Sequence, residues 1–65
     1  MNQNEKVLQY MQQNGSITTW EAISHLRITR LSARIKDLRD AGVHISGALH
    51  TNQETGDRWK EYWLA

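Results

Sequence analysis

The chain of 65 residues contains no cysteine and no proline, and nowhere do 18 apolar residues follow one another. Without cysteine there is neither a disulfide framework nor a thiolate zinc site to support so small a domain, which hides only roughly 60% of the surface its unfolded chain exposes. Its stability must come from hydrophobic packing. The lack of a long apolar run excludes a membrane-crossing helix among its segments. The opening Met1-Asn2-Gln3-Asn4-Glu5 is polar where a secretory signal carries basic and then apolar residues. A soluble, cytoplasmic protein is expected, with no membrane partner. With no proline and no low-complexity or linker-like stretch, residues 1–65 read as one continuous domain.

Signatures of catalysis are missing too. The sequence has no glycine-rich phosphate loop and no serine nucleophile motif, and its carboxylates are scattered rather than paired for acid/base work. His25, His44 and His50 are not spaced i,i+4 on one helix and no cysteine joins them, so no metal site is expected. The reading is a non-enzymatic protein without cofactors.

What is present is a concentrated positive charge. The net charge is only +1, yet between Arg27 and Arg39 five basic residues (Arg27, Arg30, Arg34, Lys36, Arg39) stand against Asp37 alone. The remainder of the chain is net acidic, so the positive field is focused on one segment.

Hydrophobic periodicity divides the chain into a helical and an alternating half. Val7, Leu8 and Met11 recur at helical spacing between Asn2 and Asn14; Asn2 and Glu5 form a capping-box pattern, and Gly15 suits a left-handed stop. Ser16-Ile17-Thr18 is too short for a helix and is read as a minimal strand closing the edge of a later hairpin. Thr18 and Glu21 make a second capping box ahead of Ala22, Ile23 and Leu26, which share one face of a short helix. After the connection Arg27-Ile28, Thr29 caps a third helix over 29–41, in which Leu31, Ile35 and Leu38 stand at i, i+4 and i+7 before Gly42 stops it. Beyond Gly42 the period becomes two: Val43 and Ile45 alternate with His44 and Ser46. The turn-forming cluster Asn52–Asp57 leads to the aromatic-rich run Trp59–Leu64, which predicts a hairpin with a polar tip.

The stretch from Thr18 to Gly42, TTWEAISHLRITRLSARIKDLRDAG, resembles the helix-turn-helix core of bacterial and phage winged-helix proteins. The whole chain is similar to small phage-type helix-turn-helix domains, in which a segment like ITRLSARIKDLRDAG precedes a short wing. The resemblance implies an α+β fold of three helices followed by a C-terminal β-hairpin wing. It also implies binding of double-stranded DNA by occupancy, as a transcription regulator or a recombination accessory factor. One departure is that Arg27 stands where many such proteins place glycine in the turn, and a left-handed arginine there costs about 1 kcal/mol.

Two helices joined by a very short connection cross steeply, so the second projects as a rod able to enter a major groove about 12 Å wide. On this third helix Ala33, Asp37 and Asp40 lie opposite the apolar face, flanked by Arg30 and Lys36. Base edges are read from the first turns, which selects Arg30, Ser32, Ala33 and Lys36: arginine for guanine, the alanine methyl for thymine, lysine for guanine or phosphate. Arg34, nearer the core edge, either clamps phosphate or pairs with Asp37 at i,i+3. Thr18, Thr19 and Thr29 sit at helix starts, where free N–H groups favour phosphate as well as caps. Arg27 in the turn and Arg58 and Lys60 in the hairpin are candidate grips on the DNA backbone.

Trp20, Trp59 and Trp63 are too many for so small a core to bury at once. In the last strand Tyr62 and Leu64 are expected to complete the core with Val43 and Ile45, leaving Trp59 or Trp63 partly exposed. That surface suits a homodimer or another protein partner. The rival reading is accordingly a protein-interaction module that keeps the winged-helix fold and binds a host or phage protein in place of DNA.

Overall fold

A computed structural model describes residues 2–65. The elements run α1 (Gln3–Asn14), β1 (Ile17–Thr18), α2 (Thr19–Leu26), α3 (Leu31–Asp40), β2 (Ile45–Thr51) and β3 (Arg58–Leu64). This is the expected α+β architecture, with the switch from helical to alternating period falling at Gly42.

Local chemistry sets most of the boundaries. The Asn2 side chain accepts the Glu5 N–H at 2.8 Å and starts α1, while Gly15, at φ +88°, ends it by donating to the Met11 carbonyl at 2.9 Å. At the start of α2 the capping box is complete: the Thr18 hydroxyl accepts the Glu21 N–H at 3.1 Å, and the Glu21 carboxylate accepts the Thr18 N–H at 3.0 Å. Gly42, at φ +99°, terminates α3, and Val43 N–H reaches back to the Leu38 carbonyl at 3.0 Å.

The three strands form an antiparallel sheet in the order β1-β3-β2, with Ile17 opposite Tyr62 and Ile45 opposite Leu64. The two-residue β1 thus closes one edge of the hairpin, as the sequence suggested, although Ser16 lies outside it. The core gathers Val7 and Met11 from α1, Ile17 from β1, Ala22 from α2, Leu31, Ile35 and Leu38 from α3, and Ile45 and Tyr62 from the sheet. Leu64 and Val43 pack against it, Val43 from just before β2.

Several expectations need correction. The third helix begins at Leu31 and ends at Asp40 rather than covering 29–41, and Thr29 does not cap it: the N-cap is Arg30, at φ −116° and ψ 61°, without a side-chain cap bond. The cause is Ile28, read as mere connection but only 1% exposed. Arg27 takes the left-handed conformation (φ 57°, ψ 36°) and the Ile28 N–H closes on the Ala22 carbonyl at 3.0 Å. This turns Ile28 into the core, and the chain needs two more residues before it can restart as helix. Ile23, assigned to the apolar face of α2, is exposed, because that face is centred on Ala22. Trp59 and Trp63 are both half-buried, in keeping with the partial exposure expected of one of them, but the most exposed tryptophan is Trp20, at 63%.

Candidate nucleic-acid interface

Helix α3 offers two flanks beside its buried stripe. One turns toward α1: Arg34, half-buried, pairs with Asp37 at 3.2 Å and donates to the Gln3 side-chain oxygen at 3.0 Å. Of the two roles open to Arg34 in the sequence, the structure displays the ion pair, which also ties α3 to α1. The other flank carries Ser32, Lys36 and Arg39, all exposed and spaced i, i+4 and i+7, hence one above another along the helix. Arg30 is exposed just ahead of the first turn, and Ala33 is half-buried between the flanks.

The second flank leads to the hairpin. Arg39 donates from Nε and Nη2 to the Ile45 carbonyl at 3.3 and 2.9 Å, and its guanidinium carbon lies 5.9 Å from the centre of the Tyr62 ring. Along β3 side chains alternate, so Lys60 and Arg58 share the face of Tyr62 and project beyond the core, both exposed. A groove of about 250 Å³ brings Arg39 and Lys60 together, lined also by Gly47, Ala48, Leu49 and Tyr62. The sequence had counted Arg39 in the basic cluster without giving it a role. Its spacing from Ser32 and Lys36 was the available signal.

The remaining candidates are spread around this surface. Arg27 is exposed in the turn and Thr29 in the connection to α3. Thr18 and Thr19 are half-buried at the start of α2, where Glu21 already occupies the positive helix end. Burial pushes the Glu21 carboxyl upward, but hydrogen bonds from the Tyr10 hydroxyl (2.8 Å) and from Thr18, with His25 nearby, outweigh it and hold it below the usual carboxylate value. A phosphate at this helix start meets that negative charge as well as the free N–H groups. The hairpin tip is likewise acidic, with Glu54 and Asp57 beside Gly56, so the wing's positive charge sits on its flank at Arg58 and Lys60.

On the opposite sheet face, Glu61 accepts from the Ser16 hydroxyl at 3.1 Å and lies 3.1 Å from His50 Nε2, and His50 stacks on Trp59 with ring centres 5.5 Å apart. This arrangement links β2 and β3 through side chains and ties both to Ser16, the residue just before β1. Among the described residues no group of three or more His, Cys, Asp or Glu side chains is placed to hold a metal ion, and no helix is long and apolar enough to cross a membrane.

Two helices joined by the short connection 27–30 and followed by a hairpin define a class, and the known families agree with the geometry. The chain belongs to a family of winged helix-turn-helix domains, whose model matches residues 2–65. Nothing among curated proteins or solved structures matches it. The class points to DNA as partner and to binding rather than catalysis.

Proposed function

We propose that this protein binds double-stranded DNA in a sequence-specific manner, with α3 in the major groove and the wing on the adjoining backbone. In this reading it acts by occupancy in a bacterial cytoplasm, as a transcription regulator or as a recombination accessory factor of a bacterium or phage. The observation that carries the reading is the exposed polar and basic flank of α3, Ser32 and Lys36 with Arg30 ahead of them, continuing into the wing where Lys60 stands. Arg30, Ser32, Ala33 and Lys36 are its base-reading candidates. Arg27, Thr18, Thr19, Thr29, Arg34, Arg58 and Lys60 are the candidates for positioning on phosphate.

Titration of a random duplex at low salt should give micromolar affinity that collapses as salt rises, and selection from a random duplex pool should return a preferred sequence. Absence of salt-dependent binding overturns the reading. A protein partner is the alternative favoured by an apolar surface on α2, where Trp20 is 63% and Ile23 38% exposed at i,i+3. It predicts no duplex binding at any salt concentration. An architectural factor has to bend its site, which makes the mobility of circularly permuted fragments depend on where the site lies, so a mobility independent of position excludes that role.

A further inference from the structure

The groove between the end of α3 and the wing has the construction of an anion seat. Gly47 lies directly opposite Tyr62 in the β2–β3 ladder. A Cβ at Gly47 would stand 2.9 Å from Tyr62 Cδ1 and 3.1 Å from Cε1, so the glycine is what allows the ring to lie flat across the strand. Over that ring sits the Arg39 guanidinium, whose Nε and one Nη2 hydrogen are spent on the Ile45 carbonyl. The arginine is thereby fixed in orientation, with three of its five N–H donors left over. Lys60 lines the same groove from β3. Neither cation has a carboxylate within ion-pair distance among the described residues, and the adjacent Glu61 is on the other sheet face, bonded to Ser16 and His50.

We propose that this groove seats a phosphate of the DNA backbone, held by Arg39 and Lys60, with Gly47 and Tyr62 positioning the arginine. The proposal rests on the DNA-binding reading and adds to it a fixed point of contact between recognition helix and wing. A planar guanidinium already held by a carbonyl and a ring loses little freedom when it meets phosphate, and its free edge is suited to two parallel hydrogen bonds. The joint between helix and wing is then the position from which α3 is set in register on the duplex.

The test is the salt dependence of random-duplex binding for the full chain and its variants, each checked for folding by circular dichroism. Lys60→Ala and Arg39→Gln, the latter keeping an amide donor for the Ile45 carbonyl, should each lower the slope of log affinity against log salt by about one unit. Arg39→Lys should keep the slope and lose affinity, since the charge remains but the oriented fork does not. Gly47→Ala should also weaken binding several-fold at unchanged slope, because both charges are present and only the position of the arginine is disturbed. Slopes equal to the parent's in Arg39→Gln and Lys60→Ala overturn the proposal and leave Arg39 as a clasp on β2. A parent that binds no duplex overturns the DNA reading itself. Inorganic phosphate added to the free protein should leave the Gly47 amide resonance unsaturated, whereas saturation makes the groove a small-anion site and overturns its assignment to the DNA backbone.

Discussion

Arg27 carries the one left-handed backbone conformation among the non-glycine residues described. An L-residue there is strained by about 1 kcal/mol or somewhat more, partly offset in any glycine replacement by the extra freedom of the unfolded chain. Arg27→Gly should therefore raise stability by up to about 1 kcal/mol, read by chemical denaturation. If the arginine is retained for a phosphate contact, the same variant should bind random duplex more weakly with a shallower salt slope. A stabilised variant with unchanged binding removes Arg27 from the interface. Arg30, whose carbonyl accepts the Arg34 N–H at 3.3 Å while its side chain is exposed, is the candidate for guanine. Arg30→Ala should lose about 1–3 kcal/mol on the selected site and much less on random duplex. Equal losses on both, with a reduced salt slope, make it a phosphate anchor.

At the scale of elements, what joins the helices is mostly out of reach of helical periodicity. Ile28 pins the turn between α2 and α3 into the core, and truncating it should cost about 2–5 kcal/mol, as should Ile35→Ala, a large share of the roughly 3–10 kcal/mol expected of a chain this long. A melting temperature within a few degrees of the parent for Ile28→Ala shows the turn to be held by its backbone bonds alone. Helices α1 and α2 are tied by the Tyr10 hydroxyl donating to Glu21. Because the Glu21 carboxyl is held below its unfolded value, its contribution is complete above about pH 4.3 and is lost as pH falls through the lowered folded value. The Tyr10 hydroxyl is raised by the same hydrogen bond, by burial and by repulsion from the carboxylate, so its contribution is lost as pH rises through the raised value, beyond about pH 10. Tyr10→Phe should flatten the decline of stability at both ends relative to the parent. Identical pH profiles for the two proteins exclude this tie as a source of that dependence.

Across the whole molecule, the radius of gyration of 11.6 Å exceeds the roughly 10.7 Å typical of a compact chain of this length. The excess is consistent with a hairpin that outruns its support. Tyr62 is buried and Ile45 nearly so, but further out on the same face Leu49 is 58% exposed, and Lys60, Thr51 and Arg58 are exposed too. An unsupported ribbon of two strands opens more readily than a packed one. Amide hydrogen exchange should be fast at Thr51 and Arg58 and slow at Ile17 and Tyr62, with ordering of the outer wing on duplex. Uniform protection along β3 in the free protein contradicts this gradient.

The period switch at Gly42, the glycine stops at 15 and 42, the Thr18–Glu21 capping box and the inward stripe Leu31, Ile35, Leu38 were legible in the sequence because each depends on residues at most a few positions apart. The order of helices and strands followed from them, the family was legible through the resemblance of the Thr18–Gly42 stretch to helix-turn-helix cores, and the basic segment 27–39 is where the proposed interface was expected. The tertiary structure alone decided which flank of α3 is tied down and which is open, since that depends on Gln3 reaching Arg34 from α1 and on the Ile45 carbonyl and the Tyr62 ring receiving Arg39. It alone made Ile28 a core residue and Trp20 the exposed tryptophan, because burial is set by what other elements arrive on each side. Gly47 is the plainest case: in the sequence it breaks an alternating strand, and only the antiparallel register that places Tyr62 opposite it shows that the missing side chain makes room for an aromatic ring.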